Sequence, residues 1–215
     1  MVHSKLFGGV GMLKVLSLAA ALLLVASVAF AGIIDPCESE ATSAGGCVMV
    51  CPAGDGDQMS DQGATITIIV RDATLALLEN IPATDFYVID CDPVLDMVLC
   101  GGASSSNATA ATDEYGQTTM EGDIAAGGCA DGVSVVVQGY VITDGPGCTD
   151  ATCLPIEIRS PDMNGDLAIN LADFSAFGLA YPPNAYNKCA DFDCSSAVNL
   201  ADFSTFGLHY QHSCQ

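Results

Sequence analysis

Between Gly32 and Ile158, apolar side chains come in short runs that alternate with polar ones and are cut by Gly, Pro, Asn and Asp. A period of two without a helical period predicts strands. ATITIIV (64–70) sets Ile66, Ile68 and Val70 on one face, DFYVID (85–90) predicts a second strand, and VSVVVQGYVI (133–142) a third that breaks at Gly139. Shorter candidates surround Val48 and Met120, while 54–57, 80–82 and 101–107 are turn or loop material. Many short strands and no strong helix predict a mainly β domain over 32–158, a two-sheet antiparallel sandwich around one core.

The pattern changes beyond Pro155 and Pro161, which places a boundary near Ser160 and a second, small α-helical domain over 160–215. Here NLADFSAFGLAY (170–181) returns as NLADFSTFGLHY (199–210). Phe174, Phe177 and Tyr181, like Phe203, Phe206 and Tyr210, fall at i, i+3 and i+7, so each copy predicts a helix with one apolar face, and core packing between the two helices accounts for the Phe positions.

Each helix follows a twelve-residue loop, DMNGDLAINLAD (162–173) or DFDCSSAVNLAD (191–202), with oxygen-bearing side chains at positions 1, 3, 5, 9 and 12. That is the spacing of a Ca²⁺ loop, because a hard cation takes six to eight oxygens and a turning loop aims alternate side chains inward. The candidate ligands of the first loop are Asp162, Asn164, Asp166 and Asp173, with the carbonyl of Ala168 and, through water, Asn170. Those of the second are Asp191, Asp193, Ser195 and Asp202, with the carbonyl of Ala197 and Asn199. Three carboxylates crowd each loop, so cation binding and local folding are expected to be coupled. Ile169 and Val198, both at position 8, are expected to pair as a short strand between the loops.

The start of the chain adds a compartment. His3, Lys5 and Lys14 precede an uncharged run from Val15 to Ala29, followed by Ala29-Phe30-Ala31, which predicts a secretory signal peptide over 1–31. The run is shorter than the ~20 residues of a spanning helix, so a retained anchor is the lesser reading, and the cleaved protein is expected to be secreted or associated with the cell surface. After residue 31 the only basic residues are Arg71, Arg159 and Lys188, against 26 Asp and Glu, a net charge of −23. Such a chain repels nucleic acid and anionic membranes and suits divalent cations or plain solubility. Export makes disulfides the default for its 11 cysteines. Cys91 with Cys100 and Cys148 with Cys153 are close enough in sequence to close small loops, and a Cys189–Cys214 clasp would tie the ends of the second repeat. The odd count leaves one thiol either buried or bridged to another chain.

Arg71-Asp72-Ala73, IPATDF (81–86) and ATDEYGQTTM (111–120) resemble the turns and strand edges of bacterial immunoglobulin-like domains of the invasin type. That resemblance implies an immunoglobulin-like β-sandwich with a spacer or adhesive role and no catalytic residue. Residues 162–210, with duplicated loops ending in N-x-x-D, resemble type I dockerin domains. In that family two repeats of a Ca²⁺ loop and one helix (here 162–181 and 191–210) dock onto a cohesin domain, through positions that correspond to Leu171, Ala172, Leu200 and Ala201. Near-identical repeats imply docking in either of two orientations. The chain departs from the family at position 6, where Leu167 and Ser196 replace the usual Gly, at Ser195, which makes the second Ca²⁺ site the weaker, and at the Leu-Ala pairs, where Ser-Thr is common.

The expected function is therefore a non-catalytic, Ca²⁺-binding protein that docks to a cohesin-like scaffold or envelope partner, with polysaccharide degradation entering as what the dockerin resemblance implies. The alternative is a glycoside hydrolase or carbohydrate-binding module in 32–158. That region has no His and no nucleophile motif, its Asp90–Asp92 pair reads as surface loop, and aromatic sugar platforms are limited to Phe86, Tyr87, Tyr115 and Tyr140 because the chain has no Trp.

Overall fold

The structure, a computed structural model, describes residues 32–91, 96–142 and 153–215. The predicted signal peptide, Asp92 and Cys148 lie outside the described residues. Among the described residues no helix is long and apolar enough to cross a membrane.

A mixed β region precedes two C-terminal helices with Asp-rich loops. Its strands are β1 (Glu40–Ser43), β2 (Gly46–Met49), β3 (Ile66–Ile69), β4 (Phe86–Asp90), β5 (Val98–Leu99), β6 (Gln117–Met120), β7 (Ala126–Gly127), β8 (Cys129–Ala130), β9 (Val133–Val137), β10 (Tyr140–Val141) and β11 (Ile156–Arg159). The strands expected at ATITIIV, DFYVID and VSVVV are β3, β4 and β9, and the break at Gly139 is the turn of the β9–β10 hairpin. They assemble as β1-β3-β6, β10-β9-β4, β2-β11-β8 and the pair β5-β7. All described pairings are antiparallel except that of β2 with β11, which is parallel and joins two segments more than a hundred residues apart, beyond the reach of local pattern.

One core gathers Val48, Val50, Ile66, Ile68, Phe86, Val88, Val135, Val137, Ile156 and Ile158. A second gathers Met49, Cys51, Ile169, Phe177, Phe192, Val198 and Phe206. Successive residues of an extended chain point to opposite faces. Val48 and Val50 therefore enter the first core while Met49 and Cys51 enter the second, and a single segment lies between both. Residues 34–215 form one compact unit.

Disulfides join Cys47 to Cys194, Cys91 to Cys153, Cys100 to Cys214 and Cys129 to Cys189. The expected Cys91–Cys100 and Cys189–Cys214 links are thus not formed, and Cys153 pairs with Cys91 rather than Cys148. Proximity in sequence misled here because pairing needs Cα atoms within about 4.4–6.8 Å, and the fold provides 5.6–6.2 Å across long separations. Three of the four bonds tie the helical region to the strands. Cys37 is also disulfide-bonded, and Cys51 is free and buried.

Arg159, 2 % exposed, sits at that seam. It donates to the carbonyls of Ala130 (2.8 Å) and Ile158 (2.9 Å) and pairs with Asp131 and Glu157, and Asp131 also pairs with Lys188. Two of the three basic residues after residue 31 thus bind carboxylates of the strand region rather than those of the loops.

Candidate metal centre

Asn170 and Asn199 start helices α1 (Leu171–Ala180) and α2 (Leu200–His209) by the same device. Each Asn side chain accepts from the backbone N–H two residues on, at 2.8 Å, and its own N–H donates to the carboxylate three residues on, Asp173 at 2.9 Å or Asp202 at 2.8 Å. This capping box anchors the last loop carboxylate at the positive end of the helix.

In the first loop, Asp162 is fully buried and accepts from the N–H groups of Gly165 (3.0 Å) and Leu167 (2.8 Å). Asp173, also fully buried, accepts from Asn164 (3.2 Å) as well as Asn170. Asp166 accepts from Ala168 (3.1 Å) and from the Asn164 amide (3.2 Å), and Asn170 donates to the Ala168 carbonyl (2.8 Å). The second loop repeats the plan. Asp191 accepts from Ser195 N–H (3.0 Å), Asp202 from Phe192 (2.7 Å) and Asn199, and Asn199 donates to the Ala197 carbonyl (2.9 Å). Tyr186 adds a 2.8 Å bond to Asp191 that, among the described residues, has no counterpart in the first loop.

Backbone conformation explains the shared shape. Position 4 is left-handed in both loops (Gly165, φ 69°; Cys194, φ 51°), and so is position 6 (Leu167, φ 67°; Ser196, φ 68°). The turn that Gly normally supplies is formed with side chains in place, at a cost of roughly 1 kcal/mol each. Oxygens of Asp162, Asp166 and Asp173 lie within 4.8 Å of one another, as do those of Asp191, Asp193 and Asp202.

The electrostatics are unbalanced. Among the described residues no ion pair reaches any of these six carboxylates. Burial pushes Asp162 up to about 6, reinforced by the charges of Asp173 and Asp166 and opposed by its backbone donors. Asp202 is raised as well, first by burial and then by Asp193 and Asp191. An all-oxygen set of three carboxylates with no counter-charge fits a divalent hard cation.

Two expectations change. The backbone of Ile169 pairs with the C-terminal tail, taking the carbonyl of His212 and the N–H of Gln211 (2.9 Å each), instead of with Val198, because the Cys100–Cys214 bond draws the tail across the first loop. The aromatic stripe also divides. Phe177 and Phe206 are buried at 1–2 % exposure with centroids 5.7 Å apart, but Phe174 and Phe203 remain 43–45 % exposed. Leu171 and Leu200, about 70 % exposed, and Ala172 and Ala201 are exposed too, but the two helix starts lie apart: Leu200 lines an apolar hollow with Phe174, Tyr181 and Phe203, while Leu171 lines another with Tyr210 and His212.

A third group brings together Cys51, Asp55, His209 and His212. Sequence reasoning missed it, although the odd cysteine and H-x-x-H at 209–212 were the available signals. The fold and these groups define a disulfide-bonded, mainly β chain with two C-terminal helices and clusters competent to hold metal. No protein family matches the chain, and no curated protein or solved structure matches it either.

Proposed function

We propose that this is a secreted, non-catalytic Ca²⁺-binding protein whose dockerin-like helix pair docks to a cohesin-like domain and carries the β region as an immunoglobulin-like spacer or adhesive module. The observation that carries the reading is the repetition of the loop backbone and capping geometry. Two loops share left-handed positions 4 and 6, the same capping box and a trio of converging carboxylates. Asp162, Asn164, Asp166, Ala168, Asn170 and Asp173 would hold the first ion. Asp191, Asp193, Ser195, Ala197, Asn199 and Asp202 would hold the second, more weakly because position 5 carries the hydroxyl of Ser195 in place of the usual carboxylate or amide. The bound ions would neutralise the buried charge. The exposed hollow of Phe174, Leu200 and Phe203, together with exposed Leu171 nearer the end of α2, supports docking, since solvent-exposed apolar patches of this kind mark interaction sites.

The test is calorimetric titration of Ca²⁺ into the cleaved, fully oxidised chain. The isolated 160–215 segment is unsuitable because three disulfides bind it to the strands. Two binding events reversed by a Ca²⁺ chelator are expected, and a chain that binds no Ca²⁺ overturns the proposal. Docking is tested separately with a panel of cohesins against Ca²⁺-loaded chain. Binding should be lost in the Leu171→Asp/Leu200→Asp double variant, and binding unaffected by that change overturns the assigned face.

A further inference from the structure

Cys51 has no disulfide partner, and the segment that carries it enters the helical core. Beyond β2 the chain turns tightly, with Gly54 N–H on the Cys51 carbonyl (2.9 Å) and Asp57 N–H on the Met49 carbonyl (2.7 Å), which brings Asp55 back over Cys51. From the other end of the sequence, α2 finishes at His209 and the chain reverses at Gln211 (φ 71°). The tail is fixed by its bonds to Ile169 and by Cys100–Cys214, so His212 returns beside His209 with ring centroids 5.3 Å apart.

Four potential ligand atoms converge. Cys51 Sγ lies 3.6 Å from His212 Nδ1, Asp55 lies 3.1 Å from His212 Nδ1 and 3.4 Å from His209 Nδ1, and all four lie within 4.8 Å of one another. The edges of a tetrahedron with Zn–S of ~2.3 Å and Zn–N or Zn–O of ~2.0–2.1 Å are about 3.3–3.7 Å long. A separate observation points to a missing ligand. His209 is only 9 % exposed, and its buried Nδ1 faces this space without a well-formed hydrogen bond, Asp55 standing 3.4 Å away. A buried polar nitrogen left so poorly satisfied is costly, and a coordinate bond would remove that cost.

We propose that Cys51, Asp55, His209 and His212 form a closed, structural Zn²⁺ site that fastens the end of α2 to the strand region. One thiolate and one carboxylate neutralise the ion, and two neutral imidazoles complete a sulfur, nitrogen and oxygen set that suits borderline-soft Zn²⁺ and differs from the all-oxygen Ca²⁺ loops. The placement of His212 does not suit a cysteine–histidine–aspartate relay. The same nitrogen of His212 faces both Cys51 and Asp55, so the imidazole cannot relay a proton between them, and Cys51 is fully buried. Binding releases the thiol proton to solvent and forms the Zn–S bond without any redox change.

The experiment uses the full oxidised chain after residue 31, with excess Ca²⁺ to saturate the loops. One equivalent of Zn²⁺ should survive dialysis. Replacement with Co²⁺ should give a thiolate-to-metal charge-transfer band and the intense visible bands of a four-coordinate ion. Cys51→Ala and His209→Ala should lose the tightly held metal but keep Ca²⁺ uptake. X-ray absorption on the Zn²⁺-loaded unaltered chain needs no variant and should find one sulfur at ~2.3 Å. A shell of nitrogen and oxygen alone, or undiminished Zn²⁺ in Cys51→Ala, would overturn the proposal whether or not the Ca²⁺ loops behave as expected.

Discussion

Asp166 and Asp173 occupy the same loop but hold it in different ways, and their substitution separates the work of the ion from that of the hydrogen bonds. Asp173 is fully buried and accepts from the N–H groups of Asn164 and Asn170. Asp173→Ala strands both donors, and at ~1–3 kcal/mol for each unsatisfied group, shared between neighbours, the Ca²⁺-free chain should lose about 2–4 kcal/mol. Asp166 is exposed and holds only Ala168 N–H and the Asn164 amide, so Asp166→Ala should cost about 1 kcal/mol without Ca²⁺. At 100 times its dissociation constant the ion contributes ~2.7 kcal/mol, which either variant forfeits. Thermal unfolding followed by circular dichroism, in chelator and in Ca²⁺, reads these differences at about 2–4 °C per kcal/mol. Asp166→Ala should therefore be shifted down by only about 2–4 °C in chelator but by roughly 7–15 °C relative to the unaltered chain in Ca²⁺. Equal shifts in both conditions would show that the loop carboxylates only close hydrogen bonds, and the Ca²⁺ reading would fail.

The helix pair yields a second contrast. Phe206→Ala removes a ring packed on Phe174 and Phe177 and should cost about 3–5 kcal/mol in denaturant unfolding, whereas half-exposed Phe203→Ala should cost about half as much. A third concerns pH. Burial places Asp162 at about 6, above its unfolded value, so its contribution to Ca²⁺-free stability is intact below pH ~4 and is lost as pH rises through 6. Ca²⁺-free unfolding midpoints across pH 4–7 should carry this falling component, and Asp162→Asn should flatten it.

Most of what the sequence determined about this protein is local. Alternation at Ile66, Ile68 and Val70 located β3, because side-chain direction follows residue parity, and the apolar run VSVVV located β9, whose burial on both faces the structure added. The loop register, from Asp162 to Asp173 and Asp191 to Asp202, was legible for a similar reason. A twelve-residue loop gathers its own carboxylates, and the capping Asn and Asp act within three residues of each other. Tertiary structure decided everything that joins distant segments. Parallel pairing of β2 with β11 and the bonds Cys47–Cys194, Cys100–Cys214 and Cys129–Cys189 link residues whose neighbourhood in space leaves no trace in local spacing. The tail crossing that claims Ile169, the exposure of Phe174 and Phe203, and the convergence of Cys51 and Asp55 with His209 and His212 follow from those links. The physical reason is that a local motif is fixed by the geometry of a few consecutive residues, whereas a seam between segments is selected only when the whole chain buries its cores at once.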